Sequence, residues 1–204
     1  APKPHATADY ELDTLAHDIV GLIDAAGREK AIVVAHDWGS MVAWWLGIKH
    51  AERIERLALF NAPHPYVFLD HFKNNPRVQK AAGYVNFFRR RGIAEFVLSL
   101  FDYAIPTSTM RKGVQPDLFS DVVLAEYKSQ WRQHGAFSAM LEWYRALFEV
   151  PPKPASLRVP VPTLLVMGGQ DAWMLPEMAK PSIDICDQGT LHVWDDSTHW
   201  TVQE

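Results

Sequence analysis

At 204 residues, with 48% hydrophobic and 22% charged side chains, the chain has the balance of one globular domain, or one carrying an insertion, and not that of a disordered segment. Its formal charge of −4 speaks against a nucleic-acid partner, and the one basic run, Arg89-Arg90-Arg91, reads as a solvated surface turn. A single cysteine, Cys186, excludes an internal disulfide and fits a reducing, cytoplasmic setting, while no apolar stretch approaches the length of a membrane span.

Residues 11–26 (ELDTLAHDIVGLIDAA) place Leu12, Leu15, Ile19, Leu22 and Ile23 on one helical face, with Gly27 as the stop. Ile32-Val33-Val34-Ala35 then reads as a strand buried on both faces of a parallel sheet, being β-branched or small with no polar alternation. Apolar residues return at helical spacing at Met41, Trp44, Trp45 and Ile48, so the strand must become a helix within His36-Asp37-Trp38-Gly39-Ser40. So abrupt a turn needs small residues, and Ala35, Gly39 and Ser40 flank Asp37 on both sides. This is the pattern of a nucleophile elbow, written G-x-S-x-G, with a carboxylate where the serine would stand. The plainer alternative is that Asp37 only caps the following helix.

Arg56–Ala62 (RLALFNA) is a second short apolar run, ending in NAPHP, and a strand-helix-strand succession builds a parallel sheet. From Tyr66 onward, aromatic-rich helical segments (YVNFF at 84–88, MLEWYRALF at 140–148) alternate with proline and glycine until Pro151, Pro152 and Pro154. Strands resume at Thr163–Met167 (TLLVM), before Gly168-Gly169, and at Thr190–Trp194 (TLHVW), before Asp195-Asp196. The expected architecture is α/β, a parallel sheet of about four strands built from residues 1–65 and 155–204, with residues 66–154 inserted as a helical cap.

Asp37, Asp171 (in GGQDAW) and His199 (in DDSTHW) each directly follow a predicted strand. Ligands and reactive groups of open α/β sheets gather outside the carboxyl ends of the strands, so three residues remote in sequence can converge there. Alone, Asp171 would read as a turn residue and His199 as a surface or capping histidine. Their joint order of nucleophile, acid and histidine is what favours a catalytic reading. His36 reads as a structural neighbour of Asp37, and His64 as part of a proline-fixed turn. Neither H-E-x-x-H nor paired Cys/His spacing occurs, so no metal site is expected.

The segments HDWGSMVAWW, NAPHP, MLEWYRALF, GGQDAW and STHWTVQE together resemble the epoxide hydrolases of the α/β-hydrolase fold, in order and spacing over essentially the whole chain. The resemblance implies that two cap tyrosines hold the epoxide oxygen, matching Tyr144 in EWYR and Tyr84 in GYVNFF. An ordinary amphipathic-helix role for Tyr144 is the alternative. It further implies a small lipophilic epoxide and water as substrates, and that no cofactor is required. Asp37 would attack a ring carbon, the tyrosines would protonate the leaving oxygen, and His199 oriented by Asp171 would activate water against the resulting ester. The backbone N–H of Trp38 would stabilise the oxyanion. The nearest rival is a haloalkane dehalogenase, which shares HDWGS. One dehalogenase group carries its acid just after the second strand, where this chain has Asn61, and dehalogenases use halide donors in place of a tyrosine pair. A catalytically silent binding protein is the alternative from another class. The family also carries earlier strands and an H-G-x-P loop supplying a second oxyanion donor. Neither is in this sequence, which begins without methionine, so the expectation is a fragment of a longer enzyme, with the Ile32 strand left as an exposed apolar edge, poorly soluble and inactive by itself.

Overall fold

The computed structural model describes residues 2–114 and 117–204. In chain order the helices and strands are α1 (Leu12–Ala25), β1 (Ala31–His36), α2 (Trp38–Lys49), β2 (Ile54–Phe60), α3 (Pro65–Asn74), α4 (Pro76–Ala81), α5 (Tyr84–Phe88), α6 (Ile93–Arg111), α7 (Asp121–Trp131), α8 (Ala136–Glu149), β3 (Thr163–Gly168), α9 (Ala179–Ile183) and β4 (Gly189–Trp194). The four apolar runs form one parallel sheet in the order β1-β2-β3-β4. Among the described residues no helix is long and apolar enough to cross a membrane.

Two compact units share the chain: Leu12–Gly83 with Pro152–Glu204, and Ala1–Glu11 with Tyr84–Pro151. In the sheet unit, α2 packs on β1 and β2 with α1 against it, and α9 packs on β3 and β4. α2 is buried almost all round. Trp44 and Trp45 are wholly enclosed, and their indole N–H groups reach the Ala62 carbonyl (3.1 Å) and Asp13 (2.8 Å), as buried indoles require. α1 ends before Gly27, whose φ of +65° is the left-handed stop its position suggests.

The compact units divide elsewhere than at the expected insertion limits of 66 and 154. α3 and α4 stay with the sheet because polar contacts hold them there: Asn75 donates to Glu177 at 2.7 Å and Arg77 pairs with Glu177 at 2.6 Å. At the chain's start, the Thr7 hydroxyl donates to Glu142 in α8 at 2.6 Å, which groups residues before Leu12 with the helices. The helical unit is fastened by a buried cation. Arg145, 1% exposed, pairs with Glu142 (2.6 Å) and Glu95 (2.8 Å) and donates from Nε to the Phe88 carbonyl (3.0 Å), joining α8, α6 and α5. Mutual attraction and the carbonyl hydrogen bond offset the cost of taking these charges out of water, and removing one partner would strand another. α6 is broken at Leu100–Tyr103. There Phe101, Asp102 and Tyr103 take left-handed φ values of 49°, 57° and 60°, and Asp102 is turned onto Lys128 and Arg132 of the following helical segment.

Of the two expectations about β1, burial on both faces is corrected, while the open apolar edge is found among the described residues. The strand is not buried on both faces. Among the described residues it pairs only with β2, and Ile32 and Val34 are 57% and 68% exposed. Apolarity on both faces identified a parallel-sheet strand correctly but does not specify whether a neighbour covers it. At the other edge β4 is also largely exposed, Trp194 by 48%.

Candidate active site

Main-chain bonds continue past the strand ends and set three loops side by side. Asp37 N–H donates to the Phe60 carbonyl (3.0 Å), Asn61 N–H to that of Val166 (3.0 Å), and Gly169 N–H to that of Trp194 (2.8 Å). The segments leaving all four strands therefore meet along one edge of the sheet, as the topology predicts.

Asp37 occupies the single residue between β1 and α2, with φ +51° and ψ −121°, a backbone region that L side chains rarely adopt. Its side chain makes no capping hydrogen bond to α2, so the plainer reading of Asp37 as a cap does not describe it. Ser40 secures the turn from inside. Wholly buried, its hydroxyl donates to the Ala35 carbonyl at 2.8 Å and accepts the Phe60 N–H at 3.1 Å, bolting the turn to both strands. Ser40 is thus small because it must fit between two backbones, whereas a Cβ at Gly39 would meet only the Ala35 Cβ, at an ordinary 3.7 Å.

His199 bridges two carboxylates. Its Nδ1 donates to Asp171 Oδ2 at 2.8 Å, and its Nε2 stands 3.3 Å from Asp37 Oδ1. The Asp171 side chain is completely enclosed, and its Oδ1 accepts the Trp173 and Met174 N–H groups, both at 2.9 Å. His36 donates from Nε2 to the His199 carbonyl at 2.7 Å, giving the neighbour role expected of it a defined contact. His64 caps α3 by accepting the Tyr66 N–H (3.2 Å). Burial pushes it down to about 4, against a weaker upward pull from the Leu157 backbone, so it is neutral and structural at ordinary pH.

The remaining expected residues lie in two places. Trp38 is the first residue of α2, and its backbone N–H lies against the Asp37 carboxylate, adding to the pull that keeps that carboxyl low. Tyr84 opens α5 and Tyr144 lies in α8, within the helical unit. Their rings meet edge-on with centroids 6.0 Å apart, and each also meets Phe88. Among the described residues no group of three or more His, Cys, Asp or Glu side chains is arranged to hold a metal ion.

The sequence reading missed what Gly168 does. It placed Gly168 only after the strand and gave it no role, but the loop carrying His199 runs directly across the end of β3. A Cβ on Gly168 would stand 1.9 Å from the Thr198 carbonyl oxygen, and one on Gly169 2.7 Å from the Asp195 Cα. Gly168→Ala should therefore displace the residue preceding His199. The expected outcome is a stability loss of about 1–3 kcal/mol or more, read as a lower urea midpoint, together with lost activity. A variant as stable and active as the parent would show that the loop does not need this close approach.

Charge follows from the same geometry. Burial works against charging His199, but the Asp171 hydrogen bond and the Asp37 contact outweigh it and push the imidazole up to about 10. Burial likewise opposes ionisation of Asp37, yet its contact with His199 holds the carboxyl below its ordinary range. Below pH 6.5, the ordinary histidine value, both folded and unfolded chains carry the imidazolium and its stabilising contribution is complete. Between there and about 10 the unfolded chain releases the proton first, so that contribution is lost as pH rises. Urea midpoints of the parent should accordingly fall faster over this window than those of Asp37→Asn, whose His199 keeps one anionic partner. Parallel profiles would contradict the bridging geometry.

The chain matches the alpha/beta hydrolase fold family over residues 1–204. It is 35% identical over 204 residues to the AB hydrolase superfamily protein YfhM of Bacillus subtilis (strain 168), covering 99% of this chain and 71% of that protein. To epoxide hydrolase 4 of Homo sapiens it is 32% identical over 205 residues, covering 96% of this chain but 56% of that protein, so it spans little more than half the human relative. Among solved structures, that of the Bacillus megaterium epoxide hydrolase in complex with an inhibitor superposes with a TM-score of 0.83 at 25% identity, over 97% of this chain and 72% of that one.

Proposed function

The chain belongs to the α/β-hydrolase fold family, and from that premise we propose that it carries the reactive centre of an epoxide hydrolase, converting a lipophilic epoxide and water to a vicinal diol through an ester on Asp37. The single observation that carries this reading is the line of contacts from Asp37 through His199 to Asp171, with a carboxylate at the sharp turn after β1.

An epoxide carbon is saturated, so opening the ring is a displacement. An ionised carboxylate performs it without a base to activate it, and the contact with His199 keeps Asp37 ionised. One Asp37 oxygen bonds to the ring carbon, the carbon–oxygen bond breaks, and the alkoxide takes a proton from a phenol. Tyr84 and Tyr144 fill that role in this reading, within residues 66–154 serving as the cap. Esterification then neutralises Asp37, removing one of the two anions that favour the imidazolium, so His199 can give up its proton through solvent, restoring the phenol, and act as a base. It takes a proton from water as the water oxygen attacks the ester carbonyl. The Trp38 N–H holds the oxyanion; on collapse the ester carbon–oxygen bond breaks, the departing oxygen takes the new carboxyl proton to complete the diol, and Asp37 returns as a carboxylate beside the imidazolium.

The test is to supply styrene oxide and, separately, a primary haloalkane to this chain within a protein of its relatives' full length, the parent of every variant named here, measuring diol and halide. Diol without halide is expected; halide release would assign the same residues to a dehalogenase, and neither product would leave a silent binding protein. Tyr144→Phe should slow ring opening by about two to four powers of ten if its phenol is the proton donor. An unchanged rate would reduce Tyr144 to packing.

A further inference from the structure

Asn61 stands where β2 ends, wholly buried, with φ +50°, a left-handed conformation that asparagine tolerates better than most side chains. Its amide nitrogen donates twice: to Asp171 Oδ2 at 3.0 Å and to the Thr198 carbonyl at 3.1 Å. The first acceptor is the same oxygen that receives His199 Nδ1, and the second belongs to the residue immediately before His199. One amide thus ties the end of a third strand to both partners of the Asp171–His199 pair. Counting donors shows how complete the arrangement is. Asp171 Oδ1 has the Trp173 and Met174 N–H groups, and Oδ2 has His199 and Asn61, which fills the four lone-pair sites of the carboxylate. The opposite amide orientation would set a carbonyl against a carboxylate, so the contact fixes which end of the side chain points inward.

We propose that Asn61 is a positioning residue for the water-attack step, aligning Asp171 Oδ2 and the His199 loop through its two amide hydrogen bonds; this rests on the reading of an ester on Asp37. Asn61 does not touch the reacting atoms in this scheme. Without its amide, Asp171 keeps its two backbone donors but Oδ2 loses the contact that fixes its rotation about His199, and the Thr198 carbonyl loses its tie to β2. Attack by Asp37 on the epoxide needs neither, whereas deprotonation of water by His199 needs both.

Two variants separate the amide from the backbone it sits on. Asn61→Gly accepts the positive φ and removes only the side chain. Asn61→Asp keeps the size and shape and, assayed at a pH where the new carboxyl is ionised, replaces the donor with an acceptor facing Asp171. The full chain of each is mixed with styrene oxide, and the ester formed on the peptide containing Asp37 is quantified in the first turnover beside the steady rate of diol release. Both variants should form ester at least to the parent's amplitude while diol release falls about ten- to hundredfold, with KM falling alongside kcat because the ester accumulates. Parent-like diol rates in both variants would overturn the assignment. So would a loss of ester in proportion to the loss of diol, the mark of misfolded protein or impaired attack. If Asn61→Gly does not fold, the near-isosteric Asn61→Asp decides. Failure of the underlying reading looks different: the parent and His199→Gln would then yield no ester on Asp37 at all.

Discussion

His199→Gln should bring turnover to a halt with the enzyme alkylated. In the proposed reaction the imidazole takes no part in opening the epoxide, because Asp37 attacks as a carboxylate that needs no base. It is indispensable to the second step, where its Nε2, 3.3 Å from Asp37 Oδ1, is placed to draw a proton from water approaching the ester. Glutamine can still donate towards buried Asp171, so the substitution avoids stranding an uncompensated charge. After mixing with styrene oxide, the intact mass should rise by the mass of one substrate, localised to the peptide containing Asp37. No adduct, or an adduct on another residue, would count against the ester.

Asp37→Ala should remove both steps, lowering turnover by about four powers of ten or more, the scale seen when an attacking residue is deleted from a catalytic unit. The fold should survive, because alanine keeps the Cβ that the parent already accommodates at φ +51° and Ser40 still bolts the turn to Ala35 and Phe60. Circular dichroism and the urea midpoint check the fold, and diol formation checks the chemistry. A variant that folds and still makes diol at an appreciable fraction of the parent's rate would show that the attacking atom lies elsewhere.

What the sequence made legible was whatever short-range pattern encodes. Four apolar runs, each ended by a polar or glycine residue, are the four strands, and the spacing of Met41, Trp44, Trp45 and Ile48 marks α2, which is buried on nearly every side from Ser40 to Gly47, with Ile48 half-buried. The expectation that Asp37, Asp171 and His199 lie together came from the convergence of strand ends in an α/β sheet, a rule that needs no knowledge of distances. Contacts that depend on how one loop crosses another were not legible. Nothing local in GGQDAW says that the His199 loop passes within 1.9 Å of a Cβ on Gly168, and nothing in LFNAP says that the Asn61 amide reaches Asp171, 110 residues away. The same holds for the Arg145–Glu95–Glu142 cluster, whose members read singly as an amphipathic helix's polar face. The break in α6 had only Pro106 as a signal, and it falls at Leu100–Tyr103, before that proline. β1 shows the converse case, in which the local pattern was right about the strand and silent about its neighbours.

The most direct measurement of the central claim follows an oxygen atom. If water attacks the ester carbonyl, its oxygen enters the carboxylate of Asp37, and the oxygen carried away on the first diol is one that Asp37 already held. A single turnover of the parent protein on an excess of enzyme in water enriched in oxygen-18 should therefore label the peptide containing Asp37 and leave the diol unlabelled. Label in the diol after that one turnover, with none on Asp37, would mean that water attacks the epoxide directly and that no ester forms on Asp37.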